Sequence, residues 1–177
     1  MDERKKQEDK EKQEESCNKR HLETNDSRWS ISEPTHEDPT LIRCPKCSKL
    51  AKVFPSENDA VRAVCGHCNF QQSVSNSRRA FAWYDENPTD GYFGYDLFLQ
   101  TACVGKSLWA FNLRHLRLLE EYVGAQLRER TSDPDYGWRN SSLTSRLPKW
   151  LKSAKNRDAV LKGIHKLNNK VKNNLDK

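Results

Sequence analysis

Apolar positions are sparse over the first 40 residues and become periodic only beyond them. Residues 1 to 40 carry no hydrophobic stripe that would bury one face of a helix, so they read as a disordered charged arm. From Leu41 the pattern changes. Ala51-Lys52-Val53-Phe54 lies between the two cysteine pairs, and Ala60 to Val64 alternates as a strand does. The turn-rich Pro55 to Asp59 lies between them, which predicts a β-hairpin. Ser73 to Arg79 is polar and reads as a linker. Phe81 to Phe111 is rich in aromatic residues, among them Trp83, Tyr92, Phe93, Tyr95, Phe98 and Trp109. Strands are expected over Tyr95 to Thr101 and Ser107 to Phe111, joined by Ala102 to Lys106, with the aromatics forming a compact core.

Helical spacing takes over at Leu113. Asn112 is a favourable N-cap residue. Leu116, Leu119, Val123 and Leu127 recur at helical intervals and predict a helix to about Arg130, with Gly124 as a mild interruption. A loop follows over Thr131 to Asn140. A second, shorter helical segment is expected within Ser141 to Lys155, anchored by Trp150 and Leu151. A third helix is expected from a cap at Asn156, with Val160, Ile164, Leu167 and Val171 as one apolar stripe.

Chemistry enters with the cysteines. Cys44-Pro45-Lys46-Cys47 and Cys65-Gly66-His67-Cys68 form two Cys-x2-Cys pairs at a separation that suits a four-cysteine zinc site. A two-residue spacer lets one tight turn aim two thiolates at a single ion, and a hairpin between the pairs brings the second turn opposite the first. Lys46 and Lys49 place positive charge near the thiolates and are expected to favour ionisation. Iron in a rubredoxin-like site and redox disulfides are the rival uses of such pairs. Structural zinc is preferred because four thiolates complete a closed tetrahedral shell. Four cysteines also leave no need of His21 or His36, and His67 is expected to be exposed. Cys17 reads as a bystander and Cys103 as a small buried residue.

The expected fold class is therefore α+β. A disordered arm spans 1–40, a four-cysteine zinc ribbon 41–76, and a small aromatic β unit packed against two or three helices 77–177. The pattern does not decide whether the ribbon and the aromatic unit share one sheet.

CPKC and CGHC with their hairpin resemble the zinc ribbons of transcription-factor-type proteins. The later stretch YFGYDLFLQTACVGKSLWAFNLRHLRLLEEYVGAQLRER, with SSLTSRLPKWLKSAKNRD, resembles a group of bacterial zinc-ribbon proteins of uncharacterised function. The resemblance runs over roughly Leu41 to Leu167 and implies the zinc and the fold, with no established activity. It departs from the group at Cys103-Val104-Gly105, where the pattern is cysteine-cysteine-glycine. Ser48 and Asn69 also stand where ribbons often carry glycine.

Charge sharpens the functional expectation. Residues 1–40 hold 12 acidic and 8 basic side chains, whereas residues 138–177 hold 11 basic and 2 acidic. A basic segment this uneven points to a polyanionic partner. The candidate nucleic-acid-binding residues are Arg43, Lys46, Lys49, Arg78 and Arg79 around the ribbon, and Arg146, Lys149, Trp150, Lys152, Lys155 and Arg157 towards the carboxy terminus. A protein partner engaged by the ribbon is the alternative. Gly105-Lys106-Ser107 imitates the end of a phosphate-binding loop, but Gln100 stands where the first glycine is needed, so no nucleotide cofactor is expected. No metalloprotease or nucleophile-elbow motif occurs, and the chain is not expected to be an enzyme. The charged start lacks the apolar stretch of a secretory signal, and no apolar run is long enough to span a membrane. A cytoplasmic location is therefore expected.

Overall fold

A computed structural model describes residues 20–22, 33–58, 60–75, 88–125, 127–129 and 147–175. The ribbon is a four-stranded antiparallel sheet in the order β2-β3-β4-β5, formed by Thr40–Arg43, Leu50–Ser56, Ala60–Val64 and Gln71–Ser75. The hairpin predicted from the sequence is its centre, with Val53 opposite Ala63. The outer strands complete it: Ile42 pairs with Ala51, and Gln72 with Ala63. Strand β5 corrects the expected linker. Ser73 to Ser75 are too polar to read as a strand, but an edge strand needs only one partner and tolerates polar residues on its open side.

Beyond the ribbon, β6 (Leu99–Cys103) and β7 (Lys106–Ala110) make a second hairpin. Its connection is the two residues Val104-Gly105, tighter than the five expected, and β6 starts later than Tyr95. Before it, Asp90 organises the loop. Its carboxylate accepts the N–H groups of Tyr92 at 2.9 Å, Phe93 at 2.8 Å and Tyr95 at 2.6 Å.

The two β units are knitted together through β2. Leu41 N–H donates to the Phe111 carbonyl at 2.7 Å and Phe98 N–H to the Leu41 carbonyl at 2.9 Å, while Arg43 N–H donates to the Asp96 carbonyl at 2.7 Å. Ile42 also bridges Leu97. Alternation along β2 then divides its side chains. Leu41 enters a core with Leu99, Leu108, Leu116 and the helices, and Ile42 enters a ribbon core with Val53, Ala63, Leu97 and Phe111.

Among the described residues, three α-helices follow: α1 (Leu113–Gly124), the short α2 (Lys149–Lys152) and α3 (Arg157–Leu175), with a 3-10 turn at Ala154–Asn156. Helix α1 stops at Gly124, not near Arg130, and Ala125 is already extended. Leu127 lies instead in β8 (Leu127–Glu129), which pairs in parallel with β1 (Arg20–Leu22). Position 124 is where glycine's low helix propensity prevails over the apolar spacing. The stripe Val160, Ile164, Leu167 and Val171 is buried as the spacing predicts. Asn156 turns its side-chain amide to the Trp150 carbonyl at 2.7 Å. Gly163 lets α3 approach the hairpin, since a Cβ there would sit 2.7 Å from Cδ2 of Leu108. Residues 131–146, which hold the expected loop and the start of the second helix, lie outside the described residues. Among the described residues, no helix is long and apolar enough to cross a membrane.

Candidate metal centre

Each Cys-x2-Cys pair sits in a turn between two ribbon strands, and the two turns are built alike. Cys44 N–H donates to the Lys49 carbonyl at 2.8 Å, and Cys65 N–H donates to the Phe70 carbonyl at the same distance. Both turns need a left-handed residue four positions after their first cysteine. Ser48 supplies it with φ 60° and Asn69 with φ 55°. Asparagine accepts that conformation readily, and serine bears more of its steric cost.

The turns bring four sulfurs together. Cys44 Sγ lies 3.6 Å from Cys68 Sγ, and Cys47 Sγ lies 3.6 Å from Cys65 Sγ. All four lie within 4.8 Å of one another. Thiolates about 2.3 Å from a tetrahedral ion sit about 3.8 Å apart, so the cluster has the size a metal requires. Cys44 and Cys65 are buried, and Cys47 and Cys68 are half-buried. The four cysteines could therefore hold one metal ion, with no donor missing from a tetrahedral shell.

The electrostatics favour one thiolate over the others. At Cys44 burial opposes ionisation, but backbone N–H groups of Cys47 and Lys46 and the thiols of Cys68 and Cys47 prevail, bringing its pKa down to about 7. Desolvation, and hydrogen bonding to the other sulfurs, push Cys68 up to about 12 and also raise Cys65. Four clustered thiols resist sharing more than one negative charge, and a cation at their centre removes that resistance. The contribution of Lys46 runs through its backbone N–H, whereas the sequence had suggested its ammonium group.

Aromatic side chains flank the second turn. Phe70 meets Tyr95 edge-on with centroids 6.1 Å apart, and Tyr95 stacks on Phe93 at 5.6 Å with rings only 3° from parallel. The histidines stand apart from the thiols. His67 is exposed, and His36 packs against the ring of Phe54 at 5.6 Å. His115 is buried on α1 and Cys103 is buried under α3, where its thiol faces the Ala159 carbonyl at 3.6 Å.

The basic candidates separate into groups. Arg43, at the end of β2, and Lys46 and Lys49, in the first cysteine turn, are exposed. Lys149 and Lys155 are exposed and Lys152 is half-buried. Trp150 packs against the helical core. Arg157 donates to the Ala125 carbonyl at 2.9 Å, tying α3 to the end of α1. Arg78, Arg79 and Arg146 lie outside the described residues. In the sequence Lys170 is only one more charge on a lysine-rich helix. Its partner is a carbonyl 72 residues away, at Phe98.

Comparison with known proteins finds no matching family model, no matching curated protein and no matching solved structure.

Proposed function

We propose that the chain is a non-catalytic zinc-ribbon protein that binds nucleic acid through basic residues of the ribbon and of the carboxy-terminal helices. Zinc is the preferred metal because four thiolates in a closed tetrahedron suit a d10 ion with no redox chemistry and no open position for a substrate. The observation that carries the nucleic-acid reading is the state of the cations. Arg43, Lys46, Lys49, Lys149 and Lys155 are all exposed and have no carboxylate partner among the described residues. Such side chains are available to neutralise phosphates, and binding of that kind weakens steeply with salt.

A second reading, a protein-binding adaptor, is favoured by the Phe70, Tyr95 and Phe93 ledge. Its rings are only partly buried, and the backbone N–H groups of Phe93 and Tyr95 are held by the Asp90 carboxylate. Fluorescence anisotropy separates the two. Labelled single-stranded and duplex DNA and RNA are titrated with zinc-loaded protein at physiological salt, with unlabelled competitor. Competable binding is expected. Absence of binding to every polymer would overturn the nucleic-acid reading and leave the adaptor.

A further inference from the structure

Lys170 is half-buried, and it joins α3 to the sheet. Its Nζ donates to the Phe98 carbonyl at 2.6 Å and lies 4.2 Å from the centroid of the Phe98 ring. Phe98 is in turn bonded to Leu41 of β2, two residues before Arg43. Lys162 and Lys166 precede Lys170 on the same edge of α3, each about 6 Å further along the axis. With His165, Asn169 and Lys170 they line one open groove.

This is a row of like charges whose carboxy-terminal end, Lys170, lies farthest from the nearby carboxylates. Arg43, Lys162 and Lys166 are exposed and have no carboxylate partner among the described residues. Asp158 lines the same groove one turn before Lys162, about 18 Å from Lys170 along the helix, and Glu120 of α1 approaches His165, between Lys162 and Lys166, at 3.3 Å. Burial, and then the charges of Arg43 and Lys166, hold the Lys170 ammonium below the usual lysine range. An anion lying in the groove would reverse the repulsive part of that balance. The carbonyl of Phe98 engages one of the three N–H donors of Lys170, so the group is oriented and retains donors for a ligand.

We infer that Lys162, Lys166 and Lys170 form a track for the sugar–phosphate backbone of a nucleic acid. The inference rests on the nucleic-acid reading above and moves its centre from the cysteine turns to α3. The regular row of three lysines, about one helical turn apart over about 12 Å, favours a polymer of regularly spaced phosphates over an irregular acidic protein surface.

The test compares the zinc-loaded full chain with its Lys162→Ala/Lys166→Ala variant. Both positions are exposed, so the fold should survive, which circular dichroism checks. Lys106→Ala/Arg117→Ala removes two exposed charges elsewhere and controls for net charge. Binding of labelled DNA is followed by anisotropy across a salt series. Each lost phosphate contact should reduce the slope of log K against log salt by about 0.7–0.9. The α3 variant is expected to lose about 1.4–1.8 of slope and at least tenfold in affinity, and the control variant much less. An α3 slope equal to that of the control would overturn the track while leaving the nucleic-acid reading intact. Failure of the unaltered protein to bind would overturn both. Displacement of DNA by poly-glutamate at equal charge concentration would overturn the track in favour of an acidic protein partner.

Discussion

The Asn112 side-chain oxygen accepts the N–H of His115 at 2.8 Å, and this one bond fixes where α1 leaves the aromatic hairpin. The same side chain donates to the Asp38 carbonyl at 3.3 Å, so the cap also ties the helix to the segment that precedes the ribbon. Loss of a side-chain cap costs about 1–2 kcal/mol. Asn112→Ala should lower the midpoint of urea unfolding by a corresponding amount with no change in slope. A midpoint equal to that of the unaltered protein would show that the buried cap contributes nothing.

His115 gives the fold a pH dependence of definite sign. It is packed among Phe111 and Trp109, with ring centroids 5.5 and 5.8 Å away, and its Nδ1 accepts the Phe111 N–H at 3.3 Å. Burial pushes its pKa from 6.5 down to about 3. Between those values the unfolded chain binds a proton at this site and the folded chain does not, so stability falls as the pH drops below 6.5. The slope for one such group approaches about 1.4 kcal/mol per pH unit. Acid also releases metal from thiolates, and comparison with His115→Gln, which cannot titrate, removes that common term. The unaltered protein should lose about 2 kcal/mol relative to the variant between pH 6.5 and 5. Parallel stability curves would place the histidine in contact with water.

Periodicity revealed those parts of the structure that local sequence governs. The α3 stripe from Val160 to Val171, the cap at Asn112 and the central ribbon hairpin all follow from spacing and residue type, as does the pairing of the four cysteines. What it missed depends on distant partners. Gln71 to Ser75 become a strand only because β4 offers an open edge, and Leu127, beyond the helix end at Gly124, finds in β8 a partner that begins at Arg20. The shared edge at β2 joins Leu41 to both Phe98 and Phe111, a contact that no window of the sequence contains. Lys170 is the clearest case, because its partner Phe98 comes from another segment of the chain.

The metal centre predicts an asymmetric response to ligand loss. Zinc binding in small four-ligand units contributes about 10–16 kcal/mol, comparable to or larger than the whole stability of an ordinary domain. The ribbon core is small and Cys44 and Cys65 are part of it, whereas the helical core is centred on Leu116, Leu119, Ile164 and Leu167. With zinc as the proposed ion, Cys65→Ser should therefore abolish its binding and unfold the ribbon sheet while most helical circular dichroism persists. Unchanged zinc content by elemental analysis would refute the ligand assignment. Loss of the helical signal would show that Leu41 and Leu50, which the ribbon sheet contributes to the helical core, are indispensable to it.

The tightest turn of the second hairpin offers a prediction in the stabilising direction. Val104 and Gly105 both have positive φ, 51° and 69°, as a two-residue hairpin of the type I′ family demands. Glycine accepts this without strain, but a β-branched residue there places its Cβ against the backbone at a cost of about 1–2 kcal/mol. The Val104 side chain is 49% exposed and recovers little of that through burial. Asparagine tolerates the left-handed region and is the preferred residue before glycine in such turns. Val104→Asn should raise stability by about 1 kcal/mol, seen as a higher midpoint in urea with metal content unchanged. A lower midpoint would mean that the exposed valine makes contacts in the intact protein that outweigh its backbone strain.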